Sequence, residues 1–166
     1  MTRTKKSSKI IVILAVCAAV IVAALASVYV IRNNQQAASA KGLVVADNTS
    51  EWDGSLQDNS EGQQGIKIPG YGDITMQADT NTWQMSLVNP EGNTCYFKYS
   101  LEIADTDEIL YESDLIEPGK AITEFQVQKT LEQGDYTLYI NVNTYTMDDS
   151  LSPLNGAQVK TTLHIV

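Results

Sequence analysis

The chain is poor in the residues from which most active sites are built. Its 166 residues include one histidine, His164, and two cysteines, Cys17 and Cys95. A zinc site takes about four Cys, His or carboxylate ligands at set spacings, and no Cys/His cluster exists here. A Cys-His pair would have to use His164, yet alternation puts His164 on the strand face opposite Leu163 and Ile165, while Cys95 falls on an inward face. His164 therefore reads as an exposed strand residue. Cys17 lies inside an apolar run, so Cys95 has no disulfide partner in the folded part and reads as a small buried hydrophobe. A Gly-rich phosphate loop, an EF-hand pattern and an LPxTG-like tail are also lacking. No catalytic motif is present, so we read the chain as non-enzymatic, without a cofactor and without a metal centre.

Charge of one sign is missing from most of the chain. Arg3, Lys5, Lys6, Lys9 and Arg32 hold five of the eleven basic residues, and all twenty Asp and Glu follow them. Beyond Arg32, six lysines face those twenty carboxylates, a net charge of −14. Such a surface repels nucleic acid and anionic headgroups, so no nucleic-acid partner is expected.

One segment lacks charge altogether. Ile10 to Ile31 is twenty-two residues long with a single polar side chain, Ser27. At ~1.5 Å per residue it makes roughly 33 Å of helix, enough for the ~30 Å hydrocarbon core of a bilayer. Four basic residues precede it, so the tail 1–9 is expected in the cytoplasm and the remainder outside. Two other readings use the same stretch. Ala24-Leu25-Ala26 before Ser27 fits a signal-cleavage site, although the apolar run continues to Ile31. A lipoprotein signal would use Cys17, but Val16 stands where a small residue is needed. The uncleaved single-pass helix over 10–31 is the expectation carried forward.

Residues 32–64 are rich in Asn, Gln, Ser, Gly, Asp and Ala and show no periodicity, which predicts a flexible linker. Its apolar residues, Leu43-Val44-Val45, Trp52 and Leu56, offer the alternative of an extra edge strand. Asn48-Thr49-Ser50 matches a glycosylation sequon, a tripeptide common by chance. From Gly65 the pattern switches to period two, predicting an all-β sandwich of about seven strands over 65–166. Ile66-Lys67-Ile68 reads as a first strand that Asp73–Ala78 continues. Trp83, Met85 and Leu87 alternate, then Asn89-Pro90-Glu91-Gly92-Asn93 turns the chain. Cys95, Phe97, Tyr99, Leu101 and Ile103 share one face. Thr123, Phe125 and Val127 point inward, as do Tyr136, Leu138, Ile140 and Val142, and finally Val159, Thr161, Leu163 and Ile165.

Leu131, Gly134 and Tyr136 read L-x-x-G-x-Y at the start of a strand. The motif resembles the tyrosine corner of Greek-key sandwiches, in which the Tyr hydroxyl bonds back to backbone a few residues upstream. A Gly turn followed by a core Tyr is the plainer reading. The resemblance is to immunoglobulin-like and fibronectin type III modules as architecture, since the cysteine pair of antibody domains is missing and the central strand lacks their core Trp. A wider resemblance rests on Ile68-Pro69-Gly70-Tyr71, Leu87-Val88-Asn89-Pro90, Cys95-Tyr96-Phe97, Ile116-Glu117-Pro118-Gly119, Leu131 to Tyr136 and Leu154-Asn155-Gly156-Ala157. Over most of 66–166 this order is similar to small N-terminally anchored surface proteins of Gram-positive gut bacteria. The resemblance implies the compartment and the fold, and it carries no active site across.

Two surface features remain. Tyr96, Tyr139 and Tyr145 face outward by alternation, and Tyr is enriched in binding patches, although isolated Tyr is also ordinary on sheet faces. Asp105, Asp107 and Glu108 share one turn, and Asp148 and Asp149 another, the best placed calcium candidates in a chain whose acidic turns read first as solvated. The expectation is a membrane-anchored extracellular module, or an accessory subunit of a cell-envelope complex, that binds a protein or glycan partner through the three tyrosines. The alternative is a carbohydrate- or calcium-binding surface receptor that works with a transporter.

Overall fold

Alternation of buried and exposed side chains sets the architecture of the folded part. The computed structural model describes residues 42–54 and 65–166. The apolar run 10–31, with the tail before it, lies outside the described residues. Among the described residues no helix is long and apolar enough to cross a membrane.

Among the described residues eight strands are present: β1 (Ser50–Glu51), β2 (Ile74–Met76), β3 (Thr82–Asn89), β4 (Tyr96–Ile103), β5 (Glu108–Glu112), β6 (Lys120–Gln126), β7 (Gly134–Tyr145) and β8 (Ala157–Ile165). They form two sheets, one of three strands in the order β1-β6-β3 and one of five in the order β2-β8-β7-β4-β5. The pairs are antiparallel except β2 with β8, which is parallel. Both sheets contribute to one apolar core, so the domain is all-β and consistent with a β-sandwich. Trp83 from β3, Phe97, Tyr99 and Leu101 from β4, Leu110 from β5, Ile122 from β6 and Ile140 from β7 are buried in it. Cys95 continues the inward row of β4 and is buried.

Polar groups inside the core are satisfied locally. Tyr99 Oη donates to the Val88 carbonyl at 2.6 Å and accepts from Tyr71 Oη at 3.2 Å. Burial pushes the Tyr71 phenol up to about 12 and the Tyr99 phenol well above its ordinary value. Asn89, fully buried at the end of β3, donates through Nδ2 to the carbonyls of Cys95 at 2.9 Å and Ile116 at 2.8 Å. Its Oδ1 accepts from Asn93 Nδ2 at 2.9 Å. Asn93 in turn grips the backbone of Lys67, accepting from its N–H at 2.8 Å and donating to its carbonyl at 3.0 Å. The dense turn after β3 is thus a clamp joining three stretches of chain.

Three sequence readings change here. Ile66-Lys67-Ile68 is not a ladder strand: Lys67 exchanges its backbone bonds with the Asn93 side chain, while Ile66 and Ile68 pack against the core. Within 66–78, ladder pairing begins at Ile74. Thr123 is exposed rather than inward, and Ile122 takes the core position. The β3–β6 register shifts between Gln84 and Leu87, so Met85 and Ser86 together oppose Thr123 and alternation is interrupted.

The third change concerns the linker. Residues 42–54 pack on the domain as a strap, and Gly42–Val166 make one unit. Leu115 N–H donates to the Val44 carbonyl, and Ala46 N–H to the Leu115 carbonyl, at 2.9 and 2.8 Å. Ser50 and Glu51 then pair with Ala121 and Lys120, and Trp52 N–H donates to the Gly119 carbonyl at 2.9 Å. At Gly54 a Cβ would run into the Trp52 ring. The strap lies beside fully buried Leu115 and Ala121. Backbone pairing rather than hydrophobic periodicity holds this segment.

Candidate functional site

The outer face of the five-stranded sheet carries the three tyrosines singled out above. Lys98, Ser100 and Glu102 of β4 point there, with Thr137, Tyr139, Asn141 and Asn143 of β7 and Gln158, Lys160, Thr162 and His164 of β8. Register decides which of them meet. Tyr96 lies opposite Tyr145, Lys98 opposite Asn143, Ser100 opposite Asn141, and Glu102 opposite Tyr139. On the other side of β7, Tyr139 faces Lys160 and Asn141 faces Gln158. Directly opposed Cβ atoms are about 4.5–5.5 Å apart, so Tyr96 and Tyr145 are cross-strand neighbours at the end of the face. Tyr139 is six residues from Tyr145 along the same strand, roughly 20 Å at ~3.3 Å per residue. The fold brings two of the three tyrosines together and leaves the third at the middle of the face.

Around Tyr139 a relay of side chains crosses three strands. Gln158 Nε2 donates to Asn141 Oδ1 at 2.8 Å, and Asn141 Nδ2 donates to Glu102 Oε2 at 3.0 Å. The relay fixes the amides in one orientation and holds Glu102 beside the Tyr139 position. Lys98 Nζ lies 3.6 Å from Glu112 Oε1. At the far end His164 Nδ1 is 2.6 Å from Asp135 Oδ1, its cross-strand partner. The surface is thus hydrophilic and mixed in charge, with one tyrosine at its centre and two cross-strand tyrosines at one end. It can hydrogen-bond and stack on an extended ligand.

Leu131, Gly134 and Tyr136 stand at the opposite end of β7. Tyr136 Oη donates to the Glu132 carbonyl, four residues upstream, at 3.0 Å, and this bond is exposed to solvent. Leu131 and Tyr136 pack against the core from its margin. Ala78, Asp79 and Thr130 to Gln133 line an open depression of about 610 Å³ beside them, away from the Tyr96–Tyr145 pair.

Cys95 and His164 are on different faces: the thiol is buried, which pushes its pKa up, and the imidazole is engaged by Asp135. Among the described residues no three Asp, Glu, His or Cys side chains gather as a metal would need. At the start of β5 Glu108 pairs with Lys129 at 2.5 Å. Asp148 Oδ1 accepts from Ser150 Oγ, Thr146 Oγ1 and Ser150 N–H, and these bonds lower its pKa. Its carboxylate organises its own turn.

The Gln158–Asn141–Glu102 relay was not found by sequence reasoning. Parity alone puts each residue on an outward face, but nothing local signals that the three align. No family model, no curated protein and no solved structure matches this chain.

Proposed function

We propose that the chain is a single-pass, membrane-anchored, non-enzymatic interaction module. Residues 10–31 span the membrane with the N-terminus in the cytoplasm, and the domain stands outside as an immunoglobulin-like Greek-key sandwich. Its strand order supports that architecture: β3 and β6 pair in one sheet, β8, β7, β4 and β5 follow one another in the other, and β2 joins β8 in parallel. The strap strand β1 fills the place beside β6. A tyrosine corner at Tyr136 opens β7, whose neighbours are β4 and β8, as in that fold.

The observation that carries the functional reading is the outer face of the five-stranded sheet. A rigid surface that combines Tyr139, an amide relay and the Tyr96–Tyr145 pair suits a protein or glycan partner outside the cell, or a neighbouring subunit of an envelope complex. Two measurements test the proposal. An impermeant thiol label should reach a cysteine placed at Ser60 in intact cells and miss one placed at Ser7; the reverse pattern overturns the orientation. Full-length chain carrying Tyr96→Ala, Tyr139→Ala and Tyr145→Ala together should lose the extracellular species cross-linked to the parent chain. Retention of the same species by the triple variant rejects this face as the binding surface.

A further inference from the structure

The edges of the two sheets differ in how they are guarded against pairing with another chain. Proteins blunt exposed edges by keeping them short, bulged or charged. Edge strand β2 has three residues, and β1 has two, one of them Glu51. Strand β3 carries the register shift opposite Thr123. Strand β5 begins and ends on Glu108 and Glu112 and has its own shift against β4. The strap segment Leu43–Ala46 is the exception. It holds four apolar residues with no charge and no proline. Val44 and Val45 are 55% and 46% exposed, although they are β-branched and lie in extended chain.

Its backbone is half used. In the parallel bridge of Val45 with Leu115, the Val44 carbonyl and the Ala46 N–H turn toward Leu115. The N–H and C=O of Val45 itself then turn to the outer side, as the ladder geometry requires. Donor, acceptor and two exposed valines are presented together along one line.

We propose that Leu43–Ala46 is a pairing edge for the same segment of a second copy of this chain, the two strands meeting antiparallel about a two-fold axis. An isologous contact needs the same patch on both copies at the same position. The proposed membrane anchor, on which this step rests, supplies that condition. Nine residues, 33–41, separate Arg32 from Gly42 in every copy, so each copy offers this edge within the same reach of the membrane, at most about 30 Å. The contact is small, and confinement to a membrane raises the effective concentration that a small contact needs. In an antiparallel pair only the residue on the two-fold axis faces its own equivalent, with Cα atoms about 4.5–5.5 Å apart, within the range that a disulfide bridges.

The test uses the full chain in phosphatidylcholine vesicles, with Cys17→Ser to remove the thiol of the apolar run; Cys95 is buried and stays. Val44→Cys, Val45→Cys and a mixture of the two are oxidised, with Ile109→Cys as control, an exposed apolar position on the guarded β5 edge. At least one of the strap samples should form covalent dimer at five or more times the control fraction. Adding a lysine at the other valine of the sample that cross-links, Val45→Lys to Val44→Cys or Val44→Lys to Val45→Cys, should return that fraction to the control level. Dimer no more abundant than the control, or indifferent to the lysine, overturns the proposal. Vesicle flotation is read in parallel: protein that fails to float refutes the anchor, while cross-linking of the same samples at high concentration still decides whether the edges pair.

Discussion

Asn89 offers the sharpest test of how this domain is held together. Asn89→Ala in a fragment covering residues 42–166 deletes two donated bonds and one accepted bond. Two of the three partners keep another: the Ile116 carbonyl still accepts from Phe97 N–H at 3.1 Å, and Asn93 Nδ2 still reaches the Lys67 carbonyl. The Cys95 carbonyl loses the amide. A neutral bond contributes about 1 kcal/mol and an orphaned buried group costs about 1–3, so the expected loss is about 2–4 kcal/mol. For roughly 100 residues, at ~4 °C per kcal/mol, the melting temperature should fall by about 8–16 °C. Asn143→Ala, on an exposed β7 position, is the control and should stay within about 0.5 kcal/mol. Asn89→Asp separates shape from hydrogen bonding. The carboxylate would face two carbonyl oxygens in a buried site, which raises its folded pKa above the unfolded ~3.9. The penalty is least below that value, where the protonated acid still donates once, and grows as pH rises above it. Urea titrations followed by the fluorescence of buried Trp83 should place Asn89→Asp closer to the parent at pH 4 than at pH 7. If all three variants unfold alike, the clamp contributes nothing and the reasoning fails.

The remaining predictions address other parts of the fold. Tyr136→Phe should cost about 0.5–1 kcal/mol, at the low end for a hydrogen bond because water can replace an exposed partner, while Tyr139→Phe stays within about 0.5; equal effects in calorimetry would make Tyr136 an ordinary marginal residue. Gly156→Ala should cost about 1–3 kcal/mol, because its Cβ would lie 2.7 Å from the Val142 carbonyl oxygen, whereas Gly70→Ala meets nothing within 4 Å and should be silent in the same melts. The raised Tyr71 pKa keeps its stabilisation intact below the unfolded value of ~10 and loses it as pH climbs toward about 12, so absorbance at alkaline pH should show Tyr71 and Tyr99 ionising together with unfolding rather than before it. A fragment starting at Gly65 lacks the strap, and should unfold at lower denaturant than one starting at Gly42; identical midpoints would show that the strap is passive.

The β-rich core was legible because alternation is a local property. The inward rows of β4, β7 and β8 could be read residue by residue, and Cys95, Leu138 and Leu163 are buried where parity put them. Thr123 was misplaced because the irregularity that shifts it lies in the pairing of two strands. Ile66–Ile68 has the composition of a strand, but the Lys67 backbone bonds to the Asn93 side chain in the turn after β3. The strap was legible only as the alternative that Leu43-Val44-Val45 and Trp52 offered, because its ladder pairing uses Ser50 and Glu51, polar residues with no periodic signature. At the candidate site the outward tyrosines were legible and their grouping was not. That grouping depends on register between β4 and β7, and Glu102, Asn141 and Gln158 are brought together from three strands.

The strap also sets where mechanical load enters the domain. Tension applied to the chain before Gly42 reaches the Val44–Leu115 and Ala46–Leu115 bonds first, then the two pairs of β1 with β6, then the Trp52–Gly119 bond. These attachments stand in series and give way one at a time, like a zipper, and the Asn93 grip on Lys67 comes under strain only after them. Their loss lengthens the tether by the contour of residues 42–64, at most about 80 Å, with both sheets behind β6 still paired.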